Sequence, residues 1–515
     1  MNNQIQKRAI IITAGVLCIT VIYFVLIGLL EYRLSGFLEK QEGKGMAFSY
    51  NDISLNLIKR AATVEGAQVV LNDSLGSNFT GKVSLDALKI KNVRFFHLLF
   101  NGSLDIDAIE LNELNGTLFK RKKLISDELK DTTSSATLDI DVKLSHLILT
   151  NSNVKIYDTE EDSLFLSLQN FNIDVTNILI DNNTLSKSLP FVSEDYLIAS
   201  DSIFLKASRF ENLTISGING NHQQTILRGI KYQNKYSPEI YSSLISTEGD
   251  HYDIEIDTIA LDNTSMTAIN DQKLSMGIQK IGIINPSINI YRDKLVADEH
   301  TEKNFYSKIL RESPMDISID TFNFKNANLV YTERIKRENR GGDIHFNEMN
   351  ISMKNLGNTY TDHTIIEMDA NFMNATPFFS KWTFNVDDES DAFYFEGEIG
   401  FLDVNAMNQF TVPNMDVDLE GRINKLFFKI NGNSRASRLD LSVNYDHLAV
   451  GILNHRTKRK RKLLSSMANL LLSNKSKNAE SNFKSVQIDV ERDEQKSFIS
   501  FVFKNIKEGM QKVIL

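Results

Sequence analysis

Apolar and polar residues alternate with a period of two along most of the chain. The segment TLDIDVKL shows the pattern, and its apolar residues are Leu138, Ile140, Val142 and Leu144. The pattern recurs in three further segments, with apolar residues Phe171, Ile173 and Val175, then Ile254 and Ile256, then Leu439, Leu441 and Val443. Such strands have one apolar face and are typical of antiparallel sheets, because strands buried on both faces in parallel sheets read as continuous apolar runs. The alternation therefore predicts a mostly β protein with a sheet of the antiparallel type.

Helical periodicity is confined to four short segments, near residues 185–200, 301–312, 462–472 and 496–515. The last segment carries an apolar stripe that predicts a C-terminal amphipathic helix. These helices are too few to cover the apolar face of a long sheet. The face must therefore pack on itself as a sandwich or barrel, or curl into a trough that something else fills. Alternation alone does not separate these two arrangements.

A strand–turn–strand motif recurs inside the predicted sheet. It is clearest in LILTNSNVKIYD (147–158), FNFKNANLVYTE (322–333) and IGIINPSINIYRD (281–293), and IELNELNGTLFK (109–120) is a weaker copy. Asn suits the turn because it tolerates a left-handed backbone. Repetition of one supersecondary unit predicts a structure that is extended by stacking rather than built around one compact core.

The N-terminus has the character of a membrane anchor. Residues 9–30 carry no charge, and a helix of that length spans about 33 Å, enough for a bilayer core of roughly 30 Å. The run is longer than the apolar part of a signal peptide, and no Ala-x-Ala site follows it. Lys7 and Arg8 favour a cytoplasmic location for residues 1–8. The pattern predicts an uncleaved single-pass anchor, with a body at 31–455 and a C-terminal region at 456–515 outside the cytoplasm.

The composition of the chain, and the motifs that its sequence lacks, argue against several classes of function. The chain has 515 residues and a net charge of −9, so no overall positive field favours nucleic acid. Its single cysteine, Cys18, excludes an internal disulfide framework and a cysteine-based zinc site. No nucleophile elbow, phosphate loop, dinucleotide-binding glycine motif or paired-histidine zinc motif is present, and acidic pairs such as Asp253/Glu255 are typical of a solvated strand face. We therefore expect a non-enzymatic protein with no catalytic residues, cofactor or bound metal.

A dense basic run precedes the last predicted strand and helix. Its members are Arg456, Lys458, Arg459, Lys460, Arg461 and Lys462. Beside the apolar segment LLSSMANLLL, such a run predicts contact with anionic lipid headgroups, or else a solvated loop next to a helix that packs on the sheet. The C-terminal helix has a similar pair of interpretations. It docks on the sheet, or it caps a trough, touches a second membrane or binds a partner.

Several segments resemble the AsmA-like proteins of Gram-negative bacteria, which are related to TamB and to bridge-like lipid-transfer proteins built of repeating β-groove units. One is FSYNDISLNLIKRAATVEGAQVVL (48–71), which follows the predicted anchor and is similar to the opening of that family. Another is the repeated strand–turn–strand motif. The remaining two are GRINKLFFKINGNSRASRLDLSVNYDHLAVGILN (421–454) and the C-terminal RDEQKSFISFVFKNIKEGMQKVIL. The similarity covers almost the whole chain and is one of pattern and layout.

The resemblance implies an inner-membrane anchor followed by an elongated periplasmic sheet that forms a U-shaped groove with an apolar interior. It favours the trough over the sandwich, and it makes the apolar strand residues named above candidates for contact with lipid acyl chains. The implied role is phospholipid transport between the inner and outer membranes, or maintenance of the outer membrane. The alternative is a scaffold for the assembly of outer-membrane proteins, which would bind an envelope protein through sheet edges and the C-terminal helix.

Overall fold

The structure, a computed structural model, describes residues 46–56, 58–71, 79–94, 103–120, 141–159, 163–185, 187, 191–269, 273–454 and 482–514. The predicted anchor, the candidates Leu138 and Ile140, the basic run and the predicted helix at 462–472 lie outside these residues. Within the described residues, no helix is both long and apolar enough to span a bilayer. The chain divides into two compact units.

The first unit comprises Met1–Lys206, Ser216–His222 and Thr267–Gln272. Its described elements are β1 (Met46–Ser49), β2 (Asp52–Asn56), β3 (Ala61–Leu71), β4 (Phe79–Lys91), β5 (Ser103–Asn112), β6 (Asn115–Lys120), β7 (Asp141–Asp158), β8 (Ser163–Ile180), the short helix α1 (Asn182–Leu185), β9 (Asp195–Ser200) and β10 (Ser202–Lys206). Strands that follow one another along the chain are mostly neighbours in the sheet. β3 pairs with β4, β4 with β5 and β6, β7 with β8, and β8 with β9 and β10, all antiparallel.

The second unit comprises Ala207–Ile215, Gln223–Met266 and Lys273–Leu515. Its strands are β11 (Glu211–Asn221), β12 (Gln224–Asn234), β13 (Asp250–Ala268), β14 (Leu274–Ile284), β15 (Ser287–Asp293), β16 (Asp316–Arg334), β17 (Gly342–Gly357), β18 (Thr364–Phe372), β19 (Thr376–Phe384), β20 (Phe393–Ile399), β21 (Leu402–Asp403), β22 (Val417–Gly432), β23 (Ala436–Ile452) and β24 (Lys484–Glu491), of which β11 and β13 end in residues of the first unit. Its helices are α2 (Pro238–Leu244), α3 (Tyr306–Arg311), a 3-10 turn (Val404–Met407), α4 (Asn408–Met415) and α5 (Phe498–Ile514). From β16 to β20, and on through β22 and β23 to β24, each strand pairs antiparallel with the next.

The helices agree in part with the sequence pattern. The predicted C-terminal helix is confirmed as α5, and the segment at 301–312 contains α3. The helix predicted at 185–200 is wrong, because only α1 touches its start and β9 occupies its end.

Both units contain mixed rather than purely antiparallel pairing. In the first unit, β5 and β6 lie one after the other along β7 and run parallel to it, with Ile106 opposite Leu144 and Leu118 opposite Ile156. In the second unit, β14 and β15 have the same relation to β16. The predicted antiparallel type is correct for most strand pairs and wrong for these four. Alternation could not reveal the difference, because each strand keeps one polar face whether its neighbour runs parallel or antiparallel.

The repeated motif forms the same local structure in each copy. Its turn residue has a left-handed backbone in all four copies: Glu113, Asn151, Asn285 and Asn326, with φ of 50°, 52°, 51° and 53°. In three of the copies the residue after it is buried, and Ser152 and Ala327 in that position are completely buried, whereas Leu114 in the weaker copy is half-buried. The motif is therefore a bend, which lies within a long strand in β7 and β16 and between two successive strands at β5–β6 and β14–β15.

Asparagine side chains join the bends of neighbouring strands. In the second unit, Asn326 Nδ2 donates to Asn285 Oδ1 at 2.9 Å, and the Asn326 backbone N–H donates to Asn350 Oδ1 at 3.1 Å. In the first unit, Asn153 Nδ2 donates to Asn115 Oδ1 at 3.3 Å. Strands β5–β8 and β14–β17 thus form two equivalent four-strand blocks, whose bends lie roughly 175 residues apart along the chain.

Away from the bends, the apolar alternation changes phase once more within each block. In β14, four residues of the two phases pack in a single cluster: Met276, Ile278, Ile281 and Ile283. The change falls where one pair of the β14–β16 ladder is skipped, between the pairs of Ile278 and Lys280. A strict period of two would have turned half of these apolar side chains toward the polar face. The phase change therefore keeps a long, bent strand apolar on one side.

The largest buried apolar cluster lies in the second unit beneath α5. Strands β22 and β23 contribute completely or almost completely buried residues: Leu426, Phe428, Ile430, Leu439, Leu441, Val443 and Tyr445. Helix α5 contributes Phe498, Phe501, Val502 and Val513. Two smaller clusters lie on β14 and β16–β18. Among the described residues, the first unit contributes to none of the three clusters.

Candidate functional site

The apolar side of β7 and β8 forms a surface that we call the first-unit face. Its members are Val142, Leu144, Leu147 and Leu149 on β7, and Phe171, Ile173, Val175 and Ile178 on β8. Leu144 lies opposite Ile178, Leu147 opposite Val175 and Leu149 opposite Ile173. The equivalent residues of the second block pack in one cluster: Ile319, Phe322, Phe324 and Leu356. The candidates Val142, Leu144, Phe171, Ile173 and Val175 therefore share one face.

The first-unit face is only half-buried. Leu144 and Ile178 are 7% and 6% exposed, and the other members have intermediate exposure. In the described part of this unit, these side chains form no buried cluster of their own. Apolar side chains that remain partly exposed along two 18-residue strands offer a surface on which apolar matter can be bound.

The opposite side of the same strands is polar. His146 Nδ1 lies 3.1 Å from Asp174 Oδ1, and Thr150 Oγ1 donates to Asn112 Oδ1 at 2.9 Å. The sheet of the first unit thus separates an apolar side from a hydrogen-bonded polar side. The apolar portion of a ligand would therefore be bound on the apolar side of this sheet and not on the polar side.

The candidates on β13 belong to a similar surface of the second unit, which we call the second-unit face. Ile254 lies opposite Tyr232 on β12 and Ile288 on β15, and Ile256 lies opposite Ile230 on β12. Ile254 and Ile256 are half-buried, and Ile256 packs against the cluster on β14 and β16. The second-unit face is therefore continuous with the buried apolar cluster on β14 and β16.

The three candidates on β23 do not line an open surface, which corrects the sequence prediction for that strand. Leu439, Leu441 and Val443 are 0%, 1% and 0% exposed. Helix α5 lies directly on them, and a Cβ atom added to Gly509 would come within 2.5 Å of Leu439 Cδ2. Because the helix occupies their apolar side, these residues stabilise the fold and have no free surface for a ligand.

Sequence reasoning missed a graded arrangement at one end of the second-unit face. Three rows run across β13, β15 and β16, and the strand register gives their members in order. The first row is Ile254, Ile288 and Leu329, the second is Tyr252, Ile290 and Tyr331, and the third is Asp250, Arg292 and Glu333. The face therefore passes from apolar, through tyrosine, to charged over three rows. A classification of residues as apolar or polar does not detect this gradient, because Tyr and Arg side chains each have an apolar part and a polar end.

Hydrogen bonds hold the charged row together. Arg292 donates from Nε and Nη2 to the two carboxylate oxygens of Asp250 at 2.6 and 2.7 Å. The Tyr252 hydroxyl donates to Asp250 at 3.2 Å, and the Tyr331 hydroxyl donates to Glu333 at 2.9 Å. Burial, and then Asp250, raise the pKa of Tyr252 to about 12. Burial, and then Glu333, likewise raise the pKa of Tyr331 well above its usual range. The row stabilises neutral tyrosines and disfavours added negative charge.

A pocket of about 400 Å³ lies elsewhere, on the polar side of β17–β20. Its carboxylates already have partners. Asn371 donates to Glu348 at 2.7 Å, Asn350 donates to Asp369 at 3.0 Å, and Glu398 pairs with Lys425. Across the described ranges, no group of three or more His, Cys, Asp or Glu side chains has the arrangement of a metal site. The polar side chains of the pocket therefore bond to one another across neighbouring strands, as on an ordinary polar sheet surface.

Comparison with known proteins does not assign the chain. No protein-family model matches it, and no curated protein matches it. The two apolar faces offer binding surface for apolar groups, and the charged row lies at the end of one of them.

Proposed function

We propose that this protein binds lipid acyl chains on the first-unit and second-unit faces and contributes to phospholipid movement between membranes. The supporting observation is the contrast between two parts of the same chain. Around α5, apolar residues of β22 and β23 are closed into a core, whereas the first-unit face stays half-exposed on long strands. The resemblance to AsmA-like proteins suggests the setting, with an inner-membrane anchor and a periplasmic body.

The physical advantage to a lipid would be large. Each methylene group removed from water contributes about 0.8 kcal/mol, so an acyl chain that leaves a bilayer unaided faces a steep barrier. Contact with an apolar strand surface lowers that barrier, while the polar head of the lipid stays in water. The described residues supply contact and no chemical step, so direction would come from a lipid gradient or from a partner.

The test is the lipid content of the full chain purified under mild conditions, measured by mass spectrometry. We expect bound phospholipid in the wild-type protein. Val175→Asp places a carboxylate on the first-unit face and should reduce the bound lipid by about half or more, because an unpaired charge among apolar groups is costly. Wild-type protein that is monodisperse and free of lipid would contradict the proposal.

A matched control lies one residue away. Thr176 lies opposite His146 on the polar side of the same strand pair. Thr176→Asp adds the same charge to the same strand and should leave the bound lipid unchanged. Equal losses in both variants would point to a general loss of structure, which circular dichroism would reveal.

A second candidate function is that of a scaffold for outer-membrane protein assembly. It is favoured by the outward side of α5, where Ile499 and Phe503 are 59% and 50% exposed and lie one turn apart. A photo-crosslinking residue at Phe503 should then capture one defined protein, and Val175→Asp should not affect that capture.

A further inference from the structure

We propose that the charged end of the second-unit face binds a protonated amine in the polar head of an amphipathic ligand. The site consists of Tyr232, Tyr252, Tyr331, Asp250, Arg292 and Glu333. The inference rests on the proposed function, since the apolar part of the ligand would lie on the adjoining isoleucines. It adds the chemical class of the head.

The order of the rows sets the orientation of such a ligand. Ile254 and Ile288 lie opposite each other, the row with Tyr252 and Ile290 comes next, and Asp250 and Arg292 follow. An apolar chain on the isoleucines therefore points its head toward the charged row. Tyrosine suits the boundary because its ring is apolar and its hydroxyl is polar.

The charges of the row favour a cation over an anion. Arg292 is bound by both carboxylate oxygens of Asp250, so these two charges neutralise each other. Glu333 accepts a hydrogen bond from the neutral hydroxyl of Tyr331. The three charged side chains together carry one net negative charge. A phosphate without an amine would have to compete with Asp250 for Arg292, whereas an ammonium group meets the carboxylate of Glu333 without competition from Arg292.

Aromatic rings reinforce the preference. The rings of Tyr232 and Tyr252 have centroids 6.1 Å apart and planes inclined by 55°. Ring faces carry negative potential and attract ammonium groups, as in aromatic cages. The raised pKa values of Tyr252 and Tyr331 have the same origin, since burial and nearby carboxylates oppose negative charge there.

The first unit lacks the equivalent of Tyr331, and the ring of Phe165 at this place already lies under Lys120 Nζ, 4.5 Å from the ring centroid. By the equivalence of the two blocks, Lys120 and Asp158 take the places of Arg292 and Glu333, and they lie opposite each other in the β6–β7 register. The place of Tyr331 is taken by Ile156. The preference for an amine should therefore belong to the second unit.

The experiment compares two probes on the full chain, stripped of lipid and kept soluble in amphipol. The probes are lysophosphatidylethanolamine and lysophosphatidylglycerol with the same acyl chain, each below its micelle concentration, and binding is measured by calorimetry. We expect the amine-bearing probe to bind about five-fold more tightly to the wild-type protein, in the range of cation–aromatic contacts. In Glu333→Gln, the ratio of the two affinities should fall to about two or less.

The controls separate this inference from the proposed function. Glu255→Gln makes the same charge change on the polar side of β13, where Glu255 pairs with Lys231, and should leave the ratio unchanged. Tyr252→Leu removes one ring and keeps an apolar side chain, so it should also lower the ratio, and it serves as the test if Glu333→Gln does not fold. Equal affinity for both probes, or a ratio that survives both variants, overturns the amine site and leaves lipid binding intact. Failure of both probes to bind overturns the proposed function itself.

Discussion

Single asparagines at left-handed positions determine where the long strands bend. Non-glycine residues pay a steric cost in this conformation, which Asn tolerates better than other residues with a β-carbon. At Asn326 the side chain also donates to Asn285, so the residue both permits the bend and ties it to the neighbouring strand. The predicted Asn-rich turns are thus bends, inside a strand at Asn151 and Asn326 and between two successive strands at Asn285.

Asn326→Ala should lower the free energy of unfolding by about 1 kcal/mol more than Asn326→Gly. Both changes remove the amide hydrogen bond, but only alanine adds the left-handed steric cost. Urea denaturation followed by circular dichroism measures the difference. Asn289 is the control, because it lies in β15 with ordinary strand geometry. There, glycine should be the more damaging substitution, and the same order at both positions would contradict the argument.

Tyr252 should make the protein sensitive to alkali. Burial and Asp250 raise its pKa from 10.0 to about 12 in the folded state. The folded state therefore binds more protons than the unfolded state between these values, so stability falls as pH rises from about 10 to about 12. Below pH 10 the residue contributes no slope. The urea midpoint of Tyr252→Phe should fall less steeply over that interval than the wild-type midpoint, and parallel curves would refute the assignment.

At the scale of elements, α5 shows how one helix converts an apolar sheet side into a core. Gly509 allows the helix to approach Leu439, and Ser437 donates to the buried Asn505 at 2.9 Å, which fixes the position of the helix along β23. The only tryptophan of the chain, Trp382, stacks on Phe498 with ring centroids 4.0 Å apart. Tryptophan emission therefore reports whether the start of α5 is docked.

Gly509→Val should displace α5 from β23. The added side chain would clash with Leu439 and Leu441, and overpacking of this kind costs about 1–3 kcal/mol. We expect red-shifted Trp382 emission and a lower urea midpoint by fluorescence. Lys507→Val is the control, since Lys507 is exposed on the same helix. Unchanged emission in Gly509→Val would show that the close approach is not needed for docking.

The sequence predicts the elements better than it predicts their neighbours. The alternation of apolar and polar residues predicts the long strands and the common face of Ile173 and Val175. The apolar stripe near the C-terminus predicts α5. The parallel pairing at β7 and β16 could not be predicted, because a strand with one polar side has the same alternating sequence pattern next to a parallel or an antiparallel neighbour. Docking of α5 on the sheet was one of two interpretations, but the strand beneath it was not predicted, because Leu439 has the same local pattern as Ile254. Helix α2 was detectable, since Ser237 and Pro238 form a standard helix start.

At the scale of the whole molecule, apolar burial is distributed unevenly. Each of the three buried clusters formed by described residues belongs to the second unit. Buried apolar area is the main source of folding free energy, so the two units should differ in stability.

Urea should therefore unfold the first unit before the second. Circular dichroism reports both units, whereas Trp382 emission reports only the second. We expect the circular dichroism transition to begin at lower urea than the fluorescence transition. Added phospholipid should raise the urea concentration at which the circular dichroism transition begins, because a ligand that binds the folded state stabilises that state by mass action. Coincident transitions would mean that the chain unfolds as one cooperative body.

The aligned bends also govern how a chain of this kind can change in length. One residue inserted into a single strand would turn every later side chain to the wrong side and break the match with its neighbours. A complete repeat, which consists of one four-strand block and the strands that lead to the next block, carries its own bends and phase change. Growth by tandem duplication in steps of roughly 175 residues is therefore open to this architecture, whereas growth by small insertions within strands is closed to it.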